Sequence, residues 1–209
     1  MKRSQRYKNM YEFLCVKHSG RPLLPRERIA FYEIAFPKFP PLTVGTDGRI
    51  QGIWVMGNNY TTGSSLYGAY PYGYLDRITS LFPDCKTVLH LFSGSMKKSV
   101  NYIRFDVKKA DVNGDAEELS GYFKFNVFDI IYADPPYSVE DTEHYGTPMI
   151  NRNKVLRECV KVVRMGGYIV WLDQVLPMYR KTELKIIGLI GMVKSTNHRF
   201  RVVTIFQKI

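Results

Sequence analysis

Apolar positions along this chain change rhythm near residue 86. Before it the periodicity is weak and broken by prolines, as in "GRPLLPRER" and "FPKFPPLTVGTDGR". That pattern predicts an irregular extension with short helices and one strand at "IQGIWVMG". After it the pattern sharpens. "TVLHLF" (87–92) is a short apolar strand running into "SGS", "YIRFDV" (102–107) alternates, and "FDIIYA" (128–133) is a buried run. "NRNKVLRECVKVVRMGG" then spaces Val155, Leu156, Cys159, Val160, Val162 and Val163 along one face. This predicts an amphipathic helix with an asparagine start and a Gly166-Gly167 stop. The strand "YIVWLD" (168–173) follows. "LKIIGLIGMV" and "RFRVVTIFQ" close the chain as two strands joined by the polar turn "KSTNH".

Strands alternating with helices imply an α/β fold with a mainly parallel sheet, and the closing hairpin adds one antiparallel strand. Ligands in such sheets bind outside the carboxyl ends of the strands. That rule gathers "FSGS", Asp106, "DPPY", Asp173 and the "KSTNH" turn along one edge. The chain divides at about residue 80, into a basic, Tyr/Gly-rich extension (1–80) and the α/β domain (81–209).

Composition narrows the partner. The net charge of +11 is unevenly spread. Residues 1–40 hold nine Lys/Arg against three Asp/Glu, residues 152–209 twelve against three, and the middle nine against thirteen. Basic arms around an acidic centre predict attraction to a polyanion such as nucleic acid, although solvated surface lysines would give the same count. Cys15, Cys85 and Cys159 are scattered and show no CxxC spacing, so they read as ordinary buried thiols. His18, His90, His144 and His198 show no zinc spacing, and no metal is expected. The longest apolar run, "IIGLIGMV", is too short for a bilayer, and the basic N-terminus lacks a continuous apolar stretch. The expectation is a cytoplasmic protein with no membrane partner; oligomeric state is not legible.

Candidate chemistry lies on the predicted edge. A strand ending in the small residues of "FSGS" lets a backbone turn approach a ligand closely, though a plain strand-to-helix turn looks the same. Asp106, ending the next strand, is placed to accept from ribose hydroxyls. It stands only twelve residues beyond Gly94, which disfavours a dinucleotide. Asp115 follows a third candidate strand and could receive an adenine amino group, or be an ordinary N-cap.

"DPPY" (134–137) is the sharpest signal. An exocyclic amino group on a nucleobase is a poor nucleophile because its lone pair is delocalised. If the Asp134 carboxylate and the Pro135 carbonyl both accept from its N–H bonds, they favour a tetrahedral nitrogen whose lone pair is free to attack. Pro135 and Pro136 hold the backbone out of a helix. Tyr137 offers a flat face for an extruded base, worth roughly 1–3 kcal/mol.

The ordered set "FSGS", Asp106, "GDA", "DPPY" resembles class I S-adenosylmethionine-dependent methyltransferases, specifically the amino-methyltransferases of the DNA N6-adenine type, over about residues 85–209. The resemblance implies a Rossmann-like methyltransferase fold, a mostly parallel seven-stranded sheet with an antiparallel C-terminal strand. It implies S-adenosylmethionine as cofactor, cradled by Phe92, Ser93, Gly94 and Ser95, with Asp106 on its ribose and Asp115 and Ala116 bordering its adenine. Asp134, Pro135, Pro136 and Tyr137 would form the catalytic loop. Ser95 stands where the family has a second glycine, so an altered cofactor loop is expected. Little chain follows the last strand, so substrate reading is expected from residues 1–80 and the edge loops.

Those regions supply the remaining candidates. Tyr60, Tyr67, Tyr70, Tyr72 and Tyr74 mix with glycine beside a basic arm, a blend suited to stacking bases, and equally to a tyrosine-rich loop packed on the sheet. Of these, Tyr70 and Tyr72 are taken as substrate-binding. Asn197, His198 and Arg199 in the last turn could bind phosphate or a base edge, and a polar hairpin tip without function would read alike. "EDTEHYG" reads as a flap that brings His144 and Tyr145 to the site. The expected partner is nucleic acid, with N6 of adenine in DNA favoured as methyl acceptor. The alternatives are RNA adenine-N6 or guanine-N2, or a nucleic-acid-binding subunit with a degenerate cofactor site.

Overall fold

The strands are β1 (Thr43–Val44), β2 (Ile50–Met56), β3 (Val88–Leu91), β4 (Ile103–Asp106), β5 (Val112–Asn113), β6 (Phe128–Ala133), β7 (Val163–Asp173), β8 (Leu184–Lys194) and β9 (Phe200–Lys208). The helices are α1 (Pro25–Ala35), α2 (Tyr74–Thr79) and α3 (Arg152–Val162), with a 3-10 turn at Ala116–Gly121. The computed structural model from which they are taken describes residues 9, 12, 21–57, 70–138, 142, 146–194 and 200–209.

All nine strands form one sheet in the order β1-β2-β8-β9-β7-β6-β3-β4-β5. The sequence predicts seven. Residues 86 onward supply seven, β3 to β9, and the N-terminal region adds the other two. β2 pairs in parallel with β8 from Ile50↔Gly188 to Met56↔Lys194, and β1 folds back antiparallel on β2. The physical reason is that β8 would otherwise be an open edge, a row of unpaired N–H and C=O groups. The predicted antiparallel C-terminal strand is β9, which runs against both β7 and β8.

The central strands are buried on both faces, which explains their unbroken apolar runs. Along β7, Tyr168, Val170 and Leu172 join one core with Trp54, Tyr74, Ile78 and Tyr32. The alternate Ile169 and Trp171 join a second core with Val155, Leu156 and Cys159 of α3. Each fully buried Val or Leu of that helix contributes roughly 1.5–3 kcal/mol. Beyond α3 on the same face, Ile53, Val55 and Phe200 are exposed.

Two local devices set the frame. Buried Arg28 of α1 forks onto Asp84 at 2.8 and 2.9 Å, donates to Leu81 O and to the Tyr168 hydroxyl, and packs over the adjoining Phe82 and Tyr168 rings. It ties the N-terminal helix to the sheet. The second device corrects the predicted glycine stop of α3. Helix α3 ends at Val162 and passes straight into β7 at Val163, so Gly166 and Gly167 lie inside the strand. Other groups cap the helix: Asn126 and Val127 N–H donate to Lys161 O and Val162 O, and Lys208 Nζ donates to Val160 O and Val163 O. Gly167 serves packing, since a Cβ there would come within 2.9 Å of the Asp129 and Arg164 carbonyl oxygens.

Candidate active site

Parallel register brings the ends of β3, β4, β6 and β7 to one edge. Leu91 pairs with Phe105 and with Ala133, and Ala133 with Trp171. The "FSGS" turn, Asp106, "DPPY" and Asp173 therefore sit side by side, as the sequence predicts. The predicted fifth member of that edge is the "KSTNH" turn, of which residues 195–198, with Asn197 and His198, lie outside the described residues, as do Arg199 after it and His144 and Tyr145 of the predicted flap.

The turn after β3 is tight. Phe92 and Gly94 both have positive φ, 61° and 50°, a conformation that favours glycine at the second position. Ser93 N–H donates to Phe105 O, and Gly94 N–H donates to Asp106 Oδ2 at 2.8 Å. Asp106 Oδ1 accepts from Val107 N–H at 2.7 Å. An ionised carboxylate has about four lone-pair sites, so Asp106 keeps capacity for two further donors. Ser93 Oγ is fully buried with no hydrogen-bond partner, while Ser95 is exposed. An orphaned hydroxyl in a turn with a half-free carboxylate matches the donor and acceptor set of a ribose-bearing cofactor. No helix follows: residues 92–102 connect β3 to β4, and 107–111 connect β4 to β5.

Asp115 takes the plainer of its two readings as far as its contacts go. It caps the 3-10 turn, accepting from Glu117 N–H at 2.8 Å, and is exposed, whereas Ala116 is buried.

Asp134 stands just past β6, half-buried, and Pro135 is buried. The Tyr137 hydroxyl donates to Asp134 Oδ1. Three phenols, Tyr70, Tyr74 and Tyr137, are pushed well above their ordinary pKa by burial, and in each case the Asp134 charge adds to the shift. They remain protonated at any working pH, and of the three Tyr137 donates to the carboxylate. Tyr70 is held in place by its neighbours. Its ring stacks on Tyr74 at 5.7 Å, and its hydroxyl lies 3.4 Å from both Tyr132 O and His90 Nδ1. His90 is sandwiched against Tyr132 and Tyr102, and burial lowers its pKa to about 4, so it is neutral. Tyr72, in contrast, is 60% exposed and stands apart from this cluster.

Sequence reading missed two arginines here. Arg201 on β9 places its guanidinium 4.2 Å from the Tyr137 ring centroid, covering one face. Arg152, the first residue of α3, donates from Nη2 to the carbonyls of Pro136 (3.2 Å) and Tyr137 (3.0 Å), and from Nε to Asp173 Oδ2 (2.7 Å). Among the described residues no donor reaches the Pro135 carbonyl. No local signal marks Arg152, because a basic residue in the first turn of an amphipathic helix reads as solvated surface. Among the described residues no three His, Cys, Asp or Glu side chains group as metal ligands, and no helix is long and apolar enough to cross a membrane.

Comparison with known proteins gives distant likeness alone. No protein-family profile matches the chain, and no curated protein matches it significantly. Among solved structures it is similar to TrmN from Thermus thermophilus (14% identity over 59% of this chain and 44% of that one, TM-score 0.39). It is also similar to the N-methyltransferase NodS from Bradyrhizobium japonicum WM9 in complex with S-adenosyl-l-homocysteine (10% identity, 59% and 78%, TM-score 0.39). A third is an rRNA methylase from Streptococcus thermophilus (9% identity, 59% and 87%, TM-score 0.36). The match to TrmN spans less than half the length of that protein. Likeness at this level carries no argument, and the functional reading rests on the site residues.

Proposed function

We propose that the chain is an S-adenosylmethionine-dependent methyltransferase acting on an exocyclic nucleobase amino group, with N6 of adenine in DNA as the favoured acceptor. One observation carries the reading: among the described residues no donor reaches the Pro135 carbonyl next to the Asp134 carboxylate, while the two carbonyls after it are tied down. A carbonyl and a carboxylate side by side accept from the two N–H bonds of an amine. They do so beside the turn and acidic residue suited to the cofactor.

Phe92, Ser93, Gly94, Ser95 and Asp106 would hold S-adenosylmethionine, with Ser93 Oγ and the spare Asp106 lone pairs as its polar partners. Bound there, it would supply an electrophilic methyl group. The chain's own part is binding and orientation. Asp134 and Pro135 align the amine and localise its lone pair, and the proton released on N–C bond formation leaves through Asp134 or to water. Tyr137 has one face covered by Arg201, so the base would stack on the other. The resting bond from the Tyr137 hydroxyl to Asp134 is exchanged for the amine when the base enters. Acidic residues and tyrosines thus line the reacting centre, while the basic segments favour a polyanionic substrate.

The test incubates the protein with labelled S-adenosylmethionine and separate DNA and RNA pools, then digests and identifies the methylated nucleoside. N6-methyl-deoxyadenosine supports the reading as stated. Label in RNA alone moves the acceptor to RNA, and no label in either pool with no calorimetric binding of S-adenosylmethionine overturns the enzyme assignment. Asp134→Ala is expected to abolish turnover while cofactor binding survives.

A further inference from the structure

The two prolines that stiffen the Asp134–Ser138 loop also deprive it of anchors. Neither has an N–H, so the loop can be fixed to its surroundings mainly through its carbonyls. Arg152 takes the second and third of the four that follow Asp134, and it does so with one nitrogen, Nη2, at 3.2 Å to Pro136 and 3.0 Å to Tyr137; the fourth, Ser138 O, accepts from Thr142 N–H. The same guanidinium is locked by Asp173, through Nε at 2.7 Å and Nη2 at 3.5 Å. Asp173 is 1% exposed and is itself fixed by Trp171 Nε1 at 3.2 Å and Gln174 N–H at 2.7 Å. Arg152 begins α3, whose start is capped by Asn151 accepting from Lys154 N–H. The fork therefore hangs between the end of a strand and the start of a helix, two rigid supports.

We propose that Arg152 is a positioning residue: held by Asp173, it pins the Pro136 and Tyr137 carbonyls and so turns the Pro135 carbonyl toward the substrate amine. The consequence for catalysis rests on the methyl-transfer reading. Lysine cannot substitute, because a single ammonium does not span a carboxylate and two carbonyls in a fixed plane.

The experiment compares wild type, Arg152→Lys, Arg152→Met and the double variant Arg152→Met/Asp173→Asn. Arg152→Lys is expected to lower kcat roughly 10–100-fold, as a misaimed near-attack geometry does, with KM for the oligonucleotide and cofactor binding unchanged. Arg152→Met strands a buried carboxylate and should lower the melting temperature as well. The double variant removes that charge and should regain the melting temperature without regaining kcat. Recovery of kcat together with stability would make the pair purely structural and overturn the proposal. Hydrogen exchange at Tyr137 and Ser138 supplies a readout independent of activity. It should accelerate about tenfold in Arg152→Lys, the order expected for one lost hydrogen bond, with the sheet unchanged. Unaltered exchange there refutes the brace even if the enzyme is active, and faster exchange in a protein that methylates nothing upholds the brace while the methyltransferase reading fails.

Discussion

The Tyr137 phenol bonds to Asp134 while Arg201 covers one face of its ring, so hydroxyl and ring can be separated by substitution. Tyr137→Ala removes the stacking surface and is expected to lower kcat/KM on an oligonucleotide by about 5–150-fold, the equivalent of 1–3 kcal/mol. Tyr137→Phe keeps the ring and removes its bond to Asp134 Oδ1, and should stay within about fivefold of wild type. A Phe variant as impaired as the Ala variant would move the residue's work from stacking to its hydroxyl. Residues of this kind differ in how visible they are before folding. "DPPY" and "FSGS" are contiguous, so their chemistry can be read directly. Arg152 acts on groups 15, 16 and 21 residues away, and Arg201 on a residue of the loop after another strand, which only the sheet order brings near. Tyr70 and Tyr74 lie between the two cases: composition marks a tyrosine-rich stretch, and packing against His90 and Asp134 selects which rings enter the site.

Period and burial made the strands legible because the central ones are covered on both faces, and β6 and β7 read as unbroken apolar runs for that reason. The α3–β7 junction was misread for an equally physical reason. A Gly-Gly pair after a helical period is the usual C-terminal signal, but here Lys208, Asn126 and Val127 supply the helix cap from elsewhere in the chain. That leaves Gly167 with a packing task that alanine can test. A Cβ at 2.9 Å from two backbone oxygens has no flexible neighbour to push aside, so Gly167→Ala should destabilise by about 1–3 kcal/mol in urea unfolding. Gly121→Ala meets nothing within 4 Å and should change stability by less than about 0.5 kcal/mol. Equal effects at the two positions would mean that the strand carries no such contact.

At the scale of the whole molecule, the sheet order joins what the sequence keeps apart. Pairing β2 with β8 joins strands from the two ends of the chain, while residues 88–133 form the β6-β3-β4-β5 half. Within that half His90 of β3 stands edge-on to Tyr70 and stacks on Tyr132, and this buried contact gives stability a pH dependence with a definite sign. Burial depresses the folded-state pKa of His90 from its ordinary 6.5 to about 4. Above 6.5 both folded and unfolded chains carry it neutral, and it contributes no slope. Between 6.5 and 4 the unfolded chain takes up a proton that the folded chain refuses, so stability falls as pH falls, by about 3 kcal/mol across the window. A further loss belongs lower. The Asp111 carboxyl is held at about 2 by its hydrogen bonds to Arg104, and that stabilisation is lost as pH drops from 3.8 through 2. Urea unfolding at half-unit steps from pH 7 to 4 should therefore show a slope approaching one proton in the wild type. In His90→Phe the slope should be reduced by about that proton, with the aromatic packing against Tyr132 kept. An undiminished slope in His90→Phe would place the titrating group elsewhere and leave the Tyr70–His90 contact without a thermodynamic role.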